Sequence, residues 1–444
     1  MRVLCIDIEN QFLDFVLRAV AHGHECRWYK HAEKGKKPTR EGEGFKGIKM
    51  VDKWEDHMAW AKDGIIVCSG NYVHMHALDR YREFGYKIFA PSAKSAELEI
   101  NRAKGMEGMQ ACGFDIPPYL MFNSLAEAAA HVRKSNTSYV FKTQGDESNK
   151  DMTYVSHDPA DMLGWLQDKI KRGIVLKKPC MLQEKIDMLC DYGVSGWFGP
   201  EGFLPGKYQV CFEHKRLMND EKGPQTGEMG SVCQYYESEK LAEDMLLPMA
   251  PILQALGHRG DFAVGVGIDK KGKAWPFEFS ARCGFPAWHI QVASHKGDPV
   301  QWMRDLLDGE DTLKVSRDVA IGVVMAQPPF PFSPGTADQV EGNVIAGMDG
   351  VWDDAHLISV MMGRGPVMEG GKIVDRPVCQ TTGNYVLVAT GMGKTIEKAR
   401  DRVYGTVDQI KFPSSIYRTD IGKKIEKILP ELQRFGYCQD LLYS

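Results

Sequence analysis

The sequence predicts an α/β protein of more than one domain, opening on a parallel sheet. Short apolar runs alternate with helix-periodic stretches through the first ninety-odd residues, the pattern of a parallel sheet. A chain of 444 residues also exceeds one ordinary core, and its length suggests about two to four domains.

Residues 3–8 form the first apolar run, and Phe12, Phe15, Val16, Ala19 and Val20 then recur at helical spacing, with Gly23 placed to end that helix. Residues 64–68 read as a second strand, Met75, Leu78 and Tyr81 as a helix, and residues 86–89 as a third strand. Parallel sheets take ligands at strand carboxyl ends, here near Asp7, Asn10 and Asn71. From about residue 97 a helical stretch carries Arg102, Met106 and Met109 and stops at Gly113. Ser124 and Glu127 have the spacing of a capping box opening an alanine-rich helix. Residues 139–142 and 152–155 read as strands around a polar loop, and strand–helix alternation is expected up to the strand at 274–279. Beyond about residue 319, strands at 320–325 and 385–388 join an amphipathic helix at 395–410. No internal repeat or low-complexity linker is present, so closely packed domains are expected.

The formal charge of -4 offers no clustered basic face for nucleic acid. The densest basic stretch, residues 34–40, runs into acidic residues and reads as a solvated loop. Eleven cysteines without one C-x-x-C pair disfavour a zinc site or a disulfide framework and fit reduced thiols. No secretory leader is recognisable, and no apolar run approaches the roughly 20 residues that span a bilayer. A cytoplasmic protein is expected, working as a monomer or homodimer on small-molecule substrates, with neither nucleic acid nor membrane as a partner.

Four clusters carry potential chemistry. Lys142 ends a strand and Lys150 follows across a polar loop, as cations serving nucleotide phosphates would, although a strand-end lysine and a turn lysine look the same. Residues 181–186, with Asp191 beyond, could offer backbone groups to an adenine edge and a carboxylate to a ribose; an ordinary edge strand reads alike. His214, Lys215 and Arg216 precede a glycine-punctuated turn holding Thr226 and Gly227, a combination able to surround a phosphate. Glu278 and Ser280 stand two apart on a strand and face one side. A carboxylate between aromatic residues needs a partner, either magnesium or Arg282.

Taken in this order, the clusters resemble the ATP-grasp fold, and in detail the phosphoribosylamine–glycine ligase family. That family's D-H-K-R … G-P-N-T-G-G-M-G is matched by Glu213-His214-Lys215-Arg216 … Gly223-Pro224-Gln225-Thr226-Gly227-Glu228-Met229-Gly230. Its E-F-N-x-R-F-G-D-P-E is matched by Glu278-Phe279-Ser280-Ala281-Arg282-Cys283-Gly284-Phe285-Pro286-Ala287, and a terminal signature by Tyr417-Arg418-Thr419-Asp420-Ile421-Gly422. The likeness covers essentially the whole chain.

The resemblance implies an N-terminal Rossmann-like domain over residues 1–97, an ATP-grasp domain over 98–312 with a lid at about 116–187, and a small C-terminal α+β domain over 313–444. It implies ATP and Mg2+ (or Mn2+) as cofactors. Arg102, Lys142, Lys150, Glu184, Lys185, Ile186 and Asp191 would bind ATP, with Glu184 to Ile186 as the adenine hinge. Glu278 and Ser280 would hold the metal, and Lys215 and Arg282 would be catalytic. Asp7, Asn10, Asn71, Arg216, Thr226 and Gly227 would bind substrate. The implied activity is an ADP-forming ligase acting through an acyl phosphate, glycine and phosphoribosylamine giving glycinamide ribonucleotide in purine biosynthesis. A ligase for another carboxylate–amine pair and a non-catalytic nucleotide-binding protein are the alternatives.

The sequence departs from the family at the substrate side. The glycine-rich G-G-R-E-H turn is replaced by Ile6-Asp7-Ile8-Glu9-Asn10-Gln11, which has no glycine and two added carboxylates. G-P-E becomes Ser69-Gly70-Asn71, D-P-E becomes Phe285-Pro286-Ala287, and the metal-side asparagine becomes Ser280. The lid loop keeps Gly145 and Lys150 but gains Asp146 and Glu147.

Overall fold

The computed structural model describes residues 1–32, 39–143 and 152–444. The chain begins with a five-stranded parallel sheet, ordered Ile48–Val51, Glu25–Lys30, Arg2–Asp7, Ile65–Cys68, Ile88–Phe89. Two of these strands, Glu25–Lys30 and Ile48–Val51, go beyond the three read from apolar runs. Glu25–Lys30 alternates, burying Cys26, Trp28 and Lys30, so its signal has period two and forms no apolar block. The first helix spans Leu13–Ala21, and Gly23 follows it at a φ of 81°, a conformation that favours glycine. The strand order steps both ways from Arg2–Asp7, which opens a crevice between the carboxyl ends of Arg2–Asp7 and Ile65–Cys68.

Helices Ala93–Ile100 and Arg102–Ala111 lead out of this sheet, separated by Asn101, whose side chain accepts the Lys104 amide. A four-stranded antiparallel sheet follows, ordered Tyr119–Phe122, Cys180–Glu184, Tyr139–Thr143, Tyr154–Val155. Helices Leu125–Val132 and Pro159–Lys171 share its small core, where Phe141, Met162, Leu166 and Leu182 are wholly buried. The Ser124 hydroxyl accepts the Glu127 amide as the capping spacing predicts, while the reciprocal bond runs from the Asn123 amide to the Glu127 carboxylate.

The middle of the chain corrects the expected strand–helix alternation. Residues 180–236 are almost entirely strands; from Met188 onward they join an antiparallel sheet of nine strands, except Arg216–Met218 and Lys222–Gln225, which pair with each other. Its order is Ala274–Ser280, Gly260–Asp269, Met188–Gly199, Tyr208–Glu213, Gly230–Tyr236, Val319–Ala326, Tyr385–Gly393, Ala355–Leu357, with Gly202–Phe203 paired beside Met188–Gly199. Val319–Ala326 bonds directly to Gly230–Tyr236, so one ladder crosses from the central residues into the C-terminal ones. Helix Ala287–Ser294 lies so close to this sheet that a Cβ on Gly322 would stand 2.5 Å from the Ile290 side chain. Helix Ile396–Gln409 forms where the amphipathic stretch at 395–410 predicts one, and the Thr395 side chain caps it. The largest hydrophobic cluster runs from Val3 and Phe12 through Trp197 and Trp288 to Ile425 and Leu432, joining all parts without a break.

Phe141 is wholly buried 4.9 Å from the Trp165 ring and is expected to hold the small sheet together. Phe141→Ala should cost about 3–5 kcal/mol, read as a lower denaturation midpoint. A loss within experimental error would mean that this sheet folds without its aromatic core.

Candidate functional site

The cleft between the small sheet and the nine-stranded sheet gathers three cations around one carboxylate. Glu278 sits on the edge strand Ala274–Ser280. Arg102, in the first turn of its helix, sends Nη1 to Glu278 Oε2 at 3.0 Å and donates from Nε to the Thr143 carbonyl at 3.1 Å. Lys142 arrives from the small sheet, its Nζ donating to the Phe277 carbonyl at 3.4 Å and lying 5.5 Å from the Phe277 ring centroid. Lys215 reaches in from the segment after strand Tyr208–Glu213, with Nζ 2.8 Å from Glu213 and 4.0 Å from Glu278 Oε1. Asp191, exposed on Met188–Gly199, adds negative charge that reinforces Lys215.

Charges this close shift one another. Burial lowers the Lys142 pKa to about 7, helped by repulsion from Arg102 and Lys215 and opposed by Glu278. Lys215 goes the other way, because attraction to Glu213 outweighs its burial and Glu278 adds to it. Burial would raise Glu278, yet Arg102 first, then Lys215 and Lys142, hold it well below the usual carboxylate range. The Glu278 side chain is 44% exposed, so water screens part of this attraction.

Arg282 does not pair with Glu278, the alternative left open by their spacing. It turns to Glu99 of helix Ala93–Ile100, 3.3 Å away. Glu99 also accepts the Ala281 amide at 2.8 Å and the Asn71 side-chain amide at 2.7 Å, so it ties the site strand to the parallel sheet. Nothing in the sequence marked Glu99, which sits among other polar residues of an ordinary helix. Ser280 points its hydroxyl towards the Arg282 carbonyl at 3.5 Å. A magnesium ion bound through phosphates and water needs only one or two protein carboxylates, and Glu278, whose Oε1 has just a loose contact with Lys215, suits that role. Among the described residues no group of three or more His, Cys, Asp or Glu side chains is placed to hold a metal ion.

The triplet His214-Lys215-Arg216 is not a triple cation. Alternation sends Glu213 and Lys215 to one side and His214 to the other. His214 is wholly buried, accepts the Gly422 amide at Nε2 (3.1 Å), and is kept neutral by burial and by Lys424 and Arg418. Arg216 donates to the Gly223 carbonyl at 3.0 Å, and Thr226 gives both its amide and its hydroxyl to the Lys215 carbonyl, each at 2.8 Å. Gly227 is exposed beside them. The terminal signature clamps this segment: Arg418 bonds both Asp420 oxygens, Glu221 at 2.9 Å and the Arg216 carbonyl at 3.0 Å. Glu228, where the family has glycine, is buried with Oε1 lacking a partner among the described residues, and burial followed by Glu213 raises its pKa.

In the hinge segment, the Glu184 and Lys185 amides bond to the Pro118 and Ser138 carbonyls, and Lys185 Nζ reaches the Ser156 carbonyl at 2.7 Å. Ile186 follows, half-buried. Lys150 and the expected lid loop, with most of the basic stretch at 34–40, lie outside the described residues.

At the parallel sheet, Asp7 ends one strand and Asn71 follows the neighbouring one, but both are buried and neither is open to a ligand as the sequence suggested. Asp7 is wholly buried and accepts from the Gln11 and Phe12 amides, Trp28 and Ser69. Burial raises its pKa against those four donors. Asn71 is spent on Glu99. Asn10, at a φ of 56°, donates to the His31 carbonyl at 3.3 Å, and its Oδ1 has no partner among the described residues.

Residues 320–424 match the family model described as "Phosphoribosylglycinamide synthetase, C domain". A phosphoribosylamine–glycine ligase of Ralstonia nicotianae is 27% identical over 369 residues, covering 78% of this chain and 81% of its own. The crystal structure of a phosphoribosylamine–glycine ligase from Thermotoga maritima superposes with a TM-score of 0.71 at 21% identity, over 95% of this chain and 100% of the other. A 2-oxoglutarate carboxylase biotin carboxylase domain from Hydrogenobacter thermophilus, in complex with MgADP, ADP and bicarbonate, gives 0.59 at 12% identity, over 100% of this chain and 96% of the other. The chain has the ATP-grasp fold and is a sequence relative of phosphoribosylamine–glycine ligases over most of its length. No helix among the described residues is long and apolar enough to cross a membrane.

Two outcomes are expected from this geometry. With a folded pKa of about 7, below that of an unfolded lysine, Lys142 leaves the unfolded state holding more protons from about pH 7 up to the unfolded value. Stability therefore rises with pH through that window on account of Lys142, and Lys142→Met should remove this contribution from the pH dependence of denaturation. An unchanged profile would show that Lys142 titrates as an ordinary lysine. Arg418 is 1% exposed, and Arg418→Met, which strands Asp420, should cost about 3–5 kcal/mol in denaturant unfolding. A loss under about 1 kcal/mol, the size of an exposed pair, would show that the clamp is dispensable.

Proposed function

We propose that this protein is an ATP-dependent ligase that joins a carboxylate to an amine through an acyl phosphate, the reaction type of phosphoribosylamine–glycine ligases. The observation that carries the proposal is the convergence of Arg102, Lys142 and Lys215 on Glu278, in a fold whose relatives perform this chemistry. Three cations this close repel one another, and a nucleoside triphosphate is a polyanion able to bridge and neutralise them.

Lys142 and Arg102 would hold the outer phosphates from opposite walls of the cleft. A phosphate beside Lys142 restores its proton, so nucleotide binding near pH 7 takes up protons. The backbone at Ile186 would meet the adenine edge, and Asp191 the ribose hydroxyls. Magnesium would be held by Glu278, with Ser280 nearby, and supplies further neutralisation of phosphate charge; the MgADP of the biotin carboxylase neighbour supports this choice. The substrate carboxylate, glycine in the first instance, attacks the terminal phosphate. Lys215 and Arg282 would neutralise the charge spreading over the transferred group, ADP leaves, and the amine then displaces phosphate to give the amide.

The test separates the first half-reaction from the amine. Purified protein with ATP, magnesium and glycine should release ADP when hydroxylamine is added, and glycine hydroxamate should be found by mass. Glu278→Ala is expected to lower that rate by about 100-fold or more, and Arg282→Met to slow it as well. Undiminished ADP formation in Glu278→Ala would remove the metal assignment. Absence of hydroxamate with glycine and with a panel of other small carboxylates would refute the ligase.

A further inference from the structure

The ligase proposal leaves the amine open, and the turn after the first strand narrows it. In parallel α/β sheets the amides at the start of the helix following the first strand point outward unpaired, which makes that helix end a natural seat for a substrate anion. Here the seat is filled from within. Asp7, the last residue of strand Arg2–Asp7, bends its carboxylate under the turn. Oδ1 accepts from the Gln11 amide at 3.2 Å and the Ser69 hydroxyl at 2.8 Å, and Oδ2 from the Phe12 amide at 2.9 Å and Trp28 Nε1 at 3.3 Å. Ser69 Oγ in turn accepts the Ile8 amide at 2.8 Å and the Glu9 amide at 3.3 Å. The amides of Ile8, Glu9, Gln11 and Phe12 are thus all consumed by the protein's own side chains.

Displacing this arrangement would be costly. Asp7, Ser69 and Trp28 are wholly buried, so a ligand phosphate reaching those amides would leave the Asp7 carboxylate without its donors and beside a second anion. Beside the Glu9 carboxylate, the side chains bordering the turn are those of Asn10, His31 and His74. Asn10 Oδ1, His31 Nδ1 and His74 Nε2 have no partner among the described residues, and the two imidazole rings stand 5.7 Å apart. Burial, and then the neighbouring His31, keep the His74 pKa below its ordinary value.

We propose that Asp7 is a specificity-determining residue: it occupies the anion seat at the first helix, so the amine substrate presents an unphosphorylated, hydroxylated group there. The inference rests on the ligase reading for the identity of the crevice as the amine site. Asp7 acts through the backbone it occupies and takes no part in the chemistry.

Calorimetric titration of the full-length protein, loaded with magnesium and a non-hydrolysable ATP analogue, tests this without turnover. Ribose 5-phosphate should bind no better than ribose, or less than about tenfold better, since no charge-assisted bonds await the phosphate. A preference of about tenfold or more for ribose 5-phosphate overturns the proposal. Asp7→Ser frees the Gln11 and Phe12 amides at the entry to the helix and is expected to gain about tenfold or more in affinity for ribose 5-phosphate, read in the same titration. A folded Asp7→Ser protein with no gain overturns the role of Asp7, and if that variant does not fold, the wild-type titration decides. Hydroxamate formation with glycine is independent of these titrations, so failure of the ligase and failure of this inference are seen separately.

Discussion

Everything in the cleft depends on holding three like charges within reach of one another in a partly dry space. Arg102, Lys142 and Lys215 come from a helix, the small sheet and the segment beyond a central strand, and none could stay there alone. Glu278 is the shared counter-charge, with Glu213 as a second one for Lys215. Lys142 keeps a depressed pKa, from its burial first and then from repulsion by Arg102 and Lys215. An enclosure of this kind is preorganised for an incoming polyanion: its cations are already oriented, so little has to be rearranged when charge develops during phosphoryl transfer.

Such a cluster needs a rigid frame, and the frame is shared between distant parts of the chain. The nine-stranded sheet carries Glu278 at one edge and C-terminal strands at the other. Arg418 and Gly422 reach back to the Lys215 segment through Arg216, Glu221 and His214. Glu99 ties the site strand to the parallel sheet, through Ala281 and Arg282 on one side and Asn71 on the other. The C-terminal residues that match a family model therefore include ones that brace the Lys215 segment from behind.

The substrate side is built on a different principle. Where the cation cluster waits for negative charge, the turn at Asp7 has already satisfied its own amides. The two halves of the cleft thus differ in what they can recognise: one is unsatisfied electrostatically, the other only by hydrogen bonding at Asn10, His31 and His74. This contrast accounts for the uneven likeness to phosphoribosylamine–glycine ligases along the chain, close at the Lys215 and Glu278 segments and altered at the turn.

Features set by local chemistry were legible from the residues alone. Alternation of apolar runs and helical spacing pointed to the parallel sheet, Ser124 marked a helix start, and the amphipathic stretch at 395–410 marked a late helix. The direction in which each polar group turns was settled by tertiary packing. Asp7 looks like a ligand-facing carboxylate until burial and four donors turn it inward; His214 looks like a cation until strand alternation sends it into the C-terminal core. Glu99 carries no local signature at all, because its role comes from partners on strands more than a hundred residues away as well as nearby. A residue type fixes which bonds a group is able to make. Packing fixes which of them are made, since burial forces every polar group to find a partner and the fold alone supplies the candidates.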